Sequence, residues 1–226
     1  MSDIKYIRVG TSFFKKVKAP TISGDFNEIL VPWNIETIKQ DYGKTFVGDI
    51  PKYDGFTCIP SHTNFKQICS DFYNKYSPLS NKPKEGSIEV STLFTKHIFG
   101  NQFELGLDYL QLLYQKPVQI LPILCLVSKE RSTGKTTFLK WLKTIFENNL
   151  TYLTNDSFGS QFNSDWTNKL LICIDEVLFN KEELTERIKY LSTTNFNKLE
   201  AKGKDKIEAE FFGKFILCSN NEDNFI

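Results

Sequence analysis

The apolar run Ile120-Leu121-Pro122-Ile123-Leu124-Cys125-Leu126-Val127 leads into Lys129-Glu130-Arg131-Ser132-Thr133-Gly134-Lys135-Thr136, and a helical pattern then continues to Phe146. No other feature of the 226 residues narrows the fold so far. A continuous apolar run of this length fits a parallel strand covered on both faces. Proline cannot donate to a ladder, so the regular strand should begin after Pro122. In the helix, Phe138, Leu139, Leu142 and Phe146 fall on one side. Strand, loop ending in Gly-Lys-Thr, then helix is the context of a phosphate-binding loop (P-loop), whose N–H groups converge on anionic oxygens. Lys135 would reach the β- and γ-phosphates of ATP, and Thr136 would offer its hydroxyl to Mg²⁺. Ser132, Thr133, Gly134, Lys135, Thr136 and Thr137 make up the expected nucleotide-binding set. The motif's first glycine is replaced by Lys129, so the loop must turn there without glycine's freedom.

Two later strand ends complete the pattern. Leu170-Leu171-Ile172-Cys173-Ile174-Asp175-Glu176 is an apolar strand closing on two carboxylates. Asp175 would hold Mg²⁺, largely through water, and Glu176 would orient and polarise the attacking water. Alone, an Asp-Glu pair would more simply cap the following turn. Phe215-Ile216-Leu217-Cys218-Ser219-Asn220-Asn221 is a third strand ending in polar amides. An isolated Ser-Asn-Asn is ordinarily a turn. Here it falls where ring ATPases carry their sensor, and Asn220 is preferred to Asn221 because it directly follows Ser219. The expected catalytic set is Lys135, Glu176 and Asn220, with Thr136 and Asp175 on the metal.

The remaining chain fits an α/β layout with a mainly parallel sheet and flanking helices. Helical period appears at Glu36–Asp41, Phe65–Tyr76, Ser91–Tyr114 (interrupted near Gly100 and Gly106) and Lys181–Leu191; a strand is read at Leu150–Leu153 and a hairpin over Lys198–Glu210. Turn formers between Ser77 and Gly86 suggest a boundary, giving a small α+β segment at 1–85 and an ATPase domain at 86–226. Tyr53 and Phe56 in the first segment could stack on bases, though such aromatics more often fill a core. No paired carboxylates there support primase chemistry. The 28 basic and 27 acidic residues nearly cancel, so any basic surface must be local. The five cysteines show no C-x-x-C spacing and read as buried reduced thiols of a cytoplasmic protein. No apolar run approaches the roughly 20 residues of a membrane span.

At this point the residues resemble a known family. His97-Ile98-Phe99-Gly100, Gly106-Leu107-Asp108-Tyr109, Leu126-Val127-Ser128-Lys129-Glu130, Phe162-Asn163-Ser164-Asp165-Trp166, Ile174-Asp175-Glu176 and the Ala201–Lys206 and Phe215–Asn221 stretches look like the helicase portion of phage and plasmid primase-helicases. These are superfamily 3 helicases, a branch of the AAA+ fold of P-loop NTPases. The resemblance spans roughly residues 90–226, and Lys129 in place of glycine is compatible with it. It implies a hexameric ring in a bacterial host cell, encoded by a phage or plasmid, that hydrolyses ATP to move on single-stranded DNA. It also implies that the Lys198–Glu210 hairpin projects into the ring's channel. Lys202, Lys204 and Lys206 recur at period 2, so one face of that arm would follow a phosphate backbone. The family's arginine finger and its last strand would lie beyond Ile226, so 1–226 alone should turn over ATP poorly. Two other readings stay open: a module that binds ATP for assembly without turnover, and a P-loop kinase. The second carboxylate, suited to water activation, argues against the kinase.

Overall fold

The computed structural model describes residues 5–20, 26–175, 182–200 and 205–221. Within them the chain divides into two units, Met1–Ile59 with Lys66–Lys75, and Pro60–Phe65 with Tyr76–Ile226.

In the first unit, β1 (Tyr6–Val9), β2 (Ser12–Pro20), β3 (Phe26–Trp33) and β4 (Lys52–Tyr53) form a sheet in the order β3-β2-β1-β4, with α1 (Ile35–Tyr42) and α2 (Phe46–Asp49) following β3. Alternation along β1 sends Tyr6 into one cluster with Ile38 and Ile50, and Ile7 and Val9 into another with Tyr73. Asn34 caps α1 by accepting a hydrogen bond from the Glu36 N–H. A second sheet, β5-β7-β6, comprises β5 (Gly55–Thr57), β6 (Ile68–Cys69) and β7 (Phe72–Asn74). The helix expected over Phe65–Tyr76 is therefore an antiparallel pair, β6 against β7. Ser70 takes φ 52° at the turn between them, and buried Asn74 ties the ladder to Ile59 and Lys66 through its side chain. Tyr53 and Phe56 pack on Tyr73, at ring separations of 5.3 and 6.2 Å.

The second unit carries the parallel sheet. Its elements are α3 (Glu89–Phe99), a short 3₁₀ turn at Gly100–Gln102, α4 (Phe103–Gln115), β8 (Leu124–Val127), α5 (Lys135–Phe146), β9 (Leu150–Leu153), α6 (Asn155–Gly159), β10 (Leu171–Ile174), α7 (Glu182–Thr193), β11 (Phe196–Leu199), β12 (Ile207–Glu210) and β13 (Lys214–Ser219). Strand order is β8-β13-β10-β9, every pair parallel. The two central strands are buried at every residue, which is why their sequences are continuous apolar runs rather than alternating ones. On α5, Phe138, Leu139, Leu142 and Phe146 are buried, the side read from the sequence. Regular pairing in β8 begins at Leu124, after Pro122. Gly106 does not interrupt a helix. It lies inside α4, where a Cβ would come within 2.4 Å of the Phe99 ring, so the glycine serves helix packing. The Ser77–Asn81 stretch is stitched to the end of α5. Ser77 exchanges hydrogen bonds with the Asn149 side chain, and Ser80 and Asn81 bind Glu147. Of the cysteines, Cys173 and Cys218 are buried and unpaired as expected, and burial pushes the Cys218 thiol up to about 12. Cys125, on the sheet's edge strand, is exposed, contrary to the expectation for a strand-borne cysteine.

One internal histidine sets a pH dependence. His62 stacks on Tyr114 with ring centroids 5.1 Å apart, and its Nδ1–H donates to the Tyr114 carbonyl at 2.7 Å. That leaves Nε2 to accept from the Tyr76 hydroxyl at 2.7 Å. Burial lowers the His62 pKa, and the charge on buried Lys214 lowers it further. Below the ordinary histidine value of about 6.5 the unfolded chain binds a proton that the folded chain resists, so stability falls as pH drops. Thermal melts from pH 7.5 to 5.5 should show this loss, and His62→Gln should flatten it. An unchanged slope in the variant would remove His62 as its source.

Candidate functional site

The carboxyl ends of β8, β13 and β10 lie side by side, and the predicted residues follow them: residues 132–137 after β8, Asn220 after β13 and Asp175 after β10. β13 pairs with β8 so that Ser219 faces Val127, and the Ser128 N–H donates to the Ser219 carbonyl at 3.2 Å. This brings Asn220 beside the loop that follows β8. β10 flanks β13 on the other side and ends at Ile174, immediately before Asp175. In an open parallel sheet this edge, just outside the strand ends, is where ligands are held.

Lys135, the first residue of α5, donates from Nζ to Ser128 Oγ at 2.5 Å, Thr133 Oγ1 at 3.3 Å and Asn220 Oδ1 at 2.8 Å. All three are neutral oxygens. Among the described residues no carboxylate compensates the ammonium, so its field remains available to an anion. Thr136 donates from Oγ1 to Asp175 Oδ2 at 3.0 Å. Lys135 and Asn220, and Thr136 and Asp175, are thus brought together from segments 85 and 39 residues apart. Gly134 occupies the position before α5 without a side-chain cap, leaving the helix's first N–H groups to other partners.

The loop explains why a lysine stands at 129. Its left-handed residues are Ser132, at φ 59°, and Gly134, at φ 93°; Lys129 is not among the positive-φ positions. Lys129 therefore needs none of glycine's freedom, and the left-handed turn at Ser132 is the one place where a residue with a Cβ takes on that cost in this loop. Ser128 Oγ donates to the Glu130 carbonyl at 2.9 Å and lies 3.0 Å from Thr133 Oγ1, bracing the loop from inside. Thr137 is exposed on the first turn of α5, and its side chain makes no hydrogen bond to the cluster among the described residues.

Glu176, Lys202 and Lys204 lie outside the described residues. Lys206 is exposed immediately before the second hairpin strand, and its Nζ pairs with Glu200 Oε2 at 2.8 Å. Its charge is therefore shared with a carboxylate of the same hairpin. The hairpin itself is present, β11 antiparallel to β12 from Phe196–Glu210 to Leu199–Ile207. The loop end of its first strand is held by Asn163, whose side chain donates to the Lys198 carbonyl at 2.8 Å and accepts from the Glu200 N–H at 2.8 Å. The Asn163 N–H donates to the Glu200 carbonyl. Sequence reasoning flagged Asn163 only as part of a resemblance, because nothing local marks a partner 37 residues away.

Arg187 is committed within the same chain. It donates to the Phe158 carbonyl at 2.8 Å and the Ser160 carbonyl at 3.3 Å. Its guanidinium also lies 5.1 Å from the Phe158 ring centre and 5.7 Å from that of Trp166.

Among the described residues no helix is long and apolar enough to cross a membrane. No curated protein sequence matches the chain. A model for a family of unknown function, DUF5906, matches residues 126–226, the stretch that holds all the strand-end residues above. Solved structures of the C-terminal region of NrS-1 share the fold. The apo structure of its residues 305–718 superposes with a TM-score of 0.69 at 19% identity, over 97% of this chain and 53% of that one. An A-form apo structure of the same region gives 0.66 at 20% identity, over 96% and 52%. The chain therefore spans about half the length of the structures it matches, and at this identity the likeness establishes a common fold.

Proposed function

We propose that the second unit binds a nucleoside triphosphate with Mg²⁺ at the carboxyl ends of β8, β13 and β10, and acts as the ATPase of a DNA-replication protein. The observation that carries this reading is the convergence of Lys135 with Asn220, and of Thr136 with Asp175, at three neighbouring strand ends. A lysine whose partners are all neutral suits the β- and γ-phosphates. The Thr136 hydroxyl and the Asp175 carboxylate, 3.0 Å apart, offer the hard oxygen ligands Mg²⁺ takes. Among the described residues no group of three or more His, Cys, Asp or Glu side chains gathers around an ion. Mg²⁺ draws most of its ligands from phosphate and water, so the proposed site asks little more of the protein than Thr136 and Asp175. Glu176, next to Asp175 in sequence, is proposed to activate the attacking water, with Asn220 beside it. The commitment of Arg187 to Phe158 and Ser160 argues against the kinase reading, in which it would serve a lid.

The finer reading is a superfamily 3 helicase, moving on single-stranded DNA as a ring. It rests on the resemblance of the motifs and is supported by the hairpin braced on Asn163. The test is ATP turnover by the full-length protein, with and without single-stranded DNA, in parallel with Lys135→Ala and Glu176→Gln. Stimulation by DNA that both variants abolish supports the motor. Turnover indifferent to DNA would leave a generic ATPase, and tight MgATP binding with no turnover would leave an assembly module.

The metal makes its own prediction. Without Mg²⁺ the Asp175 carboxylate repels a polyphosphate, and with Mg²⁺ it helps hold the ion. Asp175→Asn should weaken ATP affinity roughly tenfold in Mg²⁺, the size of one charge-assisted contact, yet leave it equal or tighter in EDTA. Calorimetric titrations under the two conditions check this. Equal weakening in both would mean that Asp175 does not act through a metal.

A further inference from the structure

The end of helix α3 meets the loop at the Thr133–Gly134 peptide. His97 Nε2 lies 3.1 Å from the Thr133 carbonyl. A carbonyl only accepts, so Nε2 carries the proton and donates. The Thr133–Gly134 peptide is trans, which sets the Gly134 N–H antiparallel to the Thr133 carbonyl. Holding that carbonyl toward His97 therefore turns the Gly134 N–H the opposite way.

Two further observations place α3 against this peptide. A Cβ on Gly134 would come within 3.3 Å of Ile98 Cδ1 and 3.7 Å of His97 Nε2, so the helix end covers the glycine closely. His97 and Ile98 also line the same cleft as Ser128, Thr133 and Lys135. Gly134 sits at φ 93°, where a glycine has little resistance to rotating its flanking peptides. Without a partner for the Thr133 carbonyl the peptide could turn over and present an oxygen, not an N–H, to an anion.

We infer that His97 is a positioning residue for the phosphate loop: by binding the Thr133 carbonyl it fixes the direction of the Gly134 N–H and pre-organises the loop for a polyphosphate. This rests on the nucleotide reading of the site. It assigns to helix α3, which carries none of the phosphate-binding motif, a part in the affinity for ATP. The gain comes from a peptide orientation already set before the ligand arrives.

The experiment is calorimetric titration of MgATP into the whole chain and into His97→Ala, His97→Phe, His97→Gln and Lys135→Ala, with thermal melts of each. Loss of one net hydrogen bond corresponds to roughly a five- to tenfold weaker affinity. His97→Ala and His97→Phe should both show it, with melting temperatures near that of the parent because His97 is exposed. His97→Gln, whose amide can donate to the same carbonyl, should recover most of it. Phenylalanine keeps a ring against Gly134 but has no donor, so parent-like binding by His97→Phe would reduce the contact to packing and overturn the inference. Parent-like binding by His97→Ala, with Lys135→Ala impaired, would overturn it while leaving the nucleotide site intact. If Lys135→Ala itself binds as the parent does, the nucleotide reading fails.

Discussion

Replacing Lys135 with alanine is expected to weaken MgATP binding about 100-fold while leaving the melting temperature nearly unchanged. The ammonium contacts Ser128, Thr133 and Asn220, none of which neutralises it. Two charge-assisted contacts to phosphate oxygens, at roughly 1.5 kcal/mol or more each, account for that factor. Stability should hardly respond. The oxygens that lose the ammonium lie on a half-buried or exposed rim where water can replace it, and none becomes a buried orphan. Titration calorimetry with a parallel thermal melt separates the two quantities. An affinity within a few-fold of the parent would remove the phosphate-binding assignment, and a large drop in melting temperature would make Lys135 a structural residue.

The second large effect concerns the scaffold. Trp166 is fully buried, with its ring 5.7 Å from Phe158 and 6.4 Å from Phe211, under the Arg187 guanidinium. It belongs to the cluster that packs one face of the parallel sheet with Ile172, Ile174, Phe215 and Leu217. Trp166→Ala should cost about 3–5 kcal/mol, the usual range for emptying a large aromatic site. Trp166→Phe should cost much less. It keeps an aromatic ring in place, and the indole Nε1 it removes is buried with no hydrogen-bond partner among the described residues. Denaturant titration of both variants checks the pair of values. Equal losses would mean that the indole N–H, and not ring volume, matters at this site. A small loss in both would show that the cluster repacks readily.

What could be read in advance follows from which signals are local. The ends of β10 and β13 were legible because parallel strands buried on both faces must be apolar at every position, and that of β8, an edge strand, because its apolar run stops just before the Gly-Lys-Thr loop. The polar residue that breaks each run then marks the edge where ligands bind. The β6–β7 pair was not legible. Phe65, Ile68, Cys69, Phe72 and Tyr76 recur at three- and four-residue spacing, which imitates a helical stripe. What decided the strands was Ser70 in a left-handed turn and the side chain of Asn74, neither of which enters a periodicity count. Gly106 misled in a similar way. A glycine reads as a break until the Phe99 ring that needs its missing Cβ is seen. The roles of His97 and Asn163 were beyond local reasoning for a further reason: each acts on a backbone group more than thirty residues away.

The position of β13 has a consequence for how the protein is made. β8 and β10 are not neighbours; the strand between them, β13, follows both in sequence, and Asn220 comes directly after it. A chain emerging from the ribosome would complete α5, β9 and β10 while the slot beside β8 still stood open. Closing it requires a long-range pairing, and such pairings form slowly because the intervening loop must first be ordered. Insertion of β13 therefore unites the two halves of the sheet and delivers Asn220 to Lys135 in one event. Until that strand docks, the nascent protein would carry the loop after β8 without the Asn220 contact to Lys135.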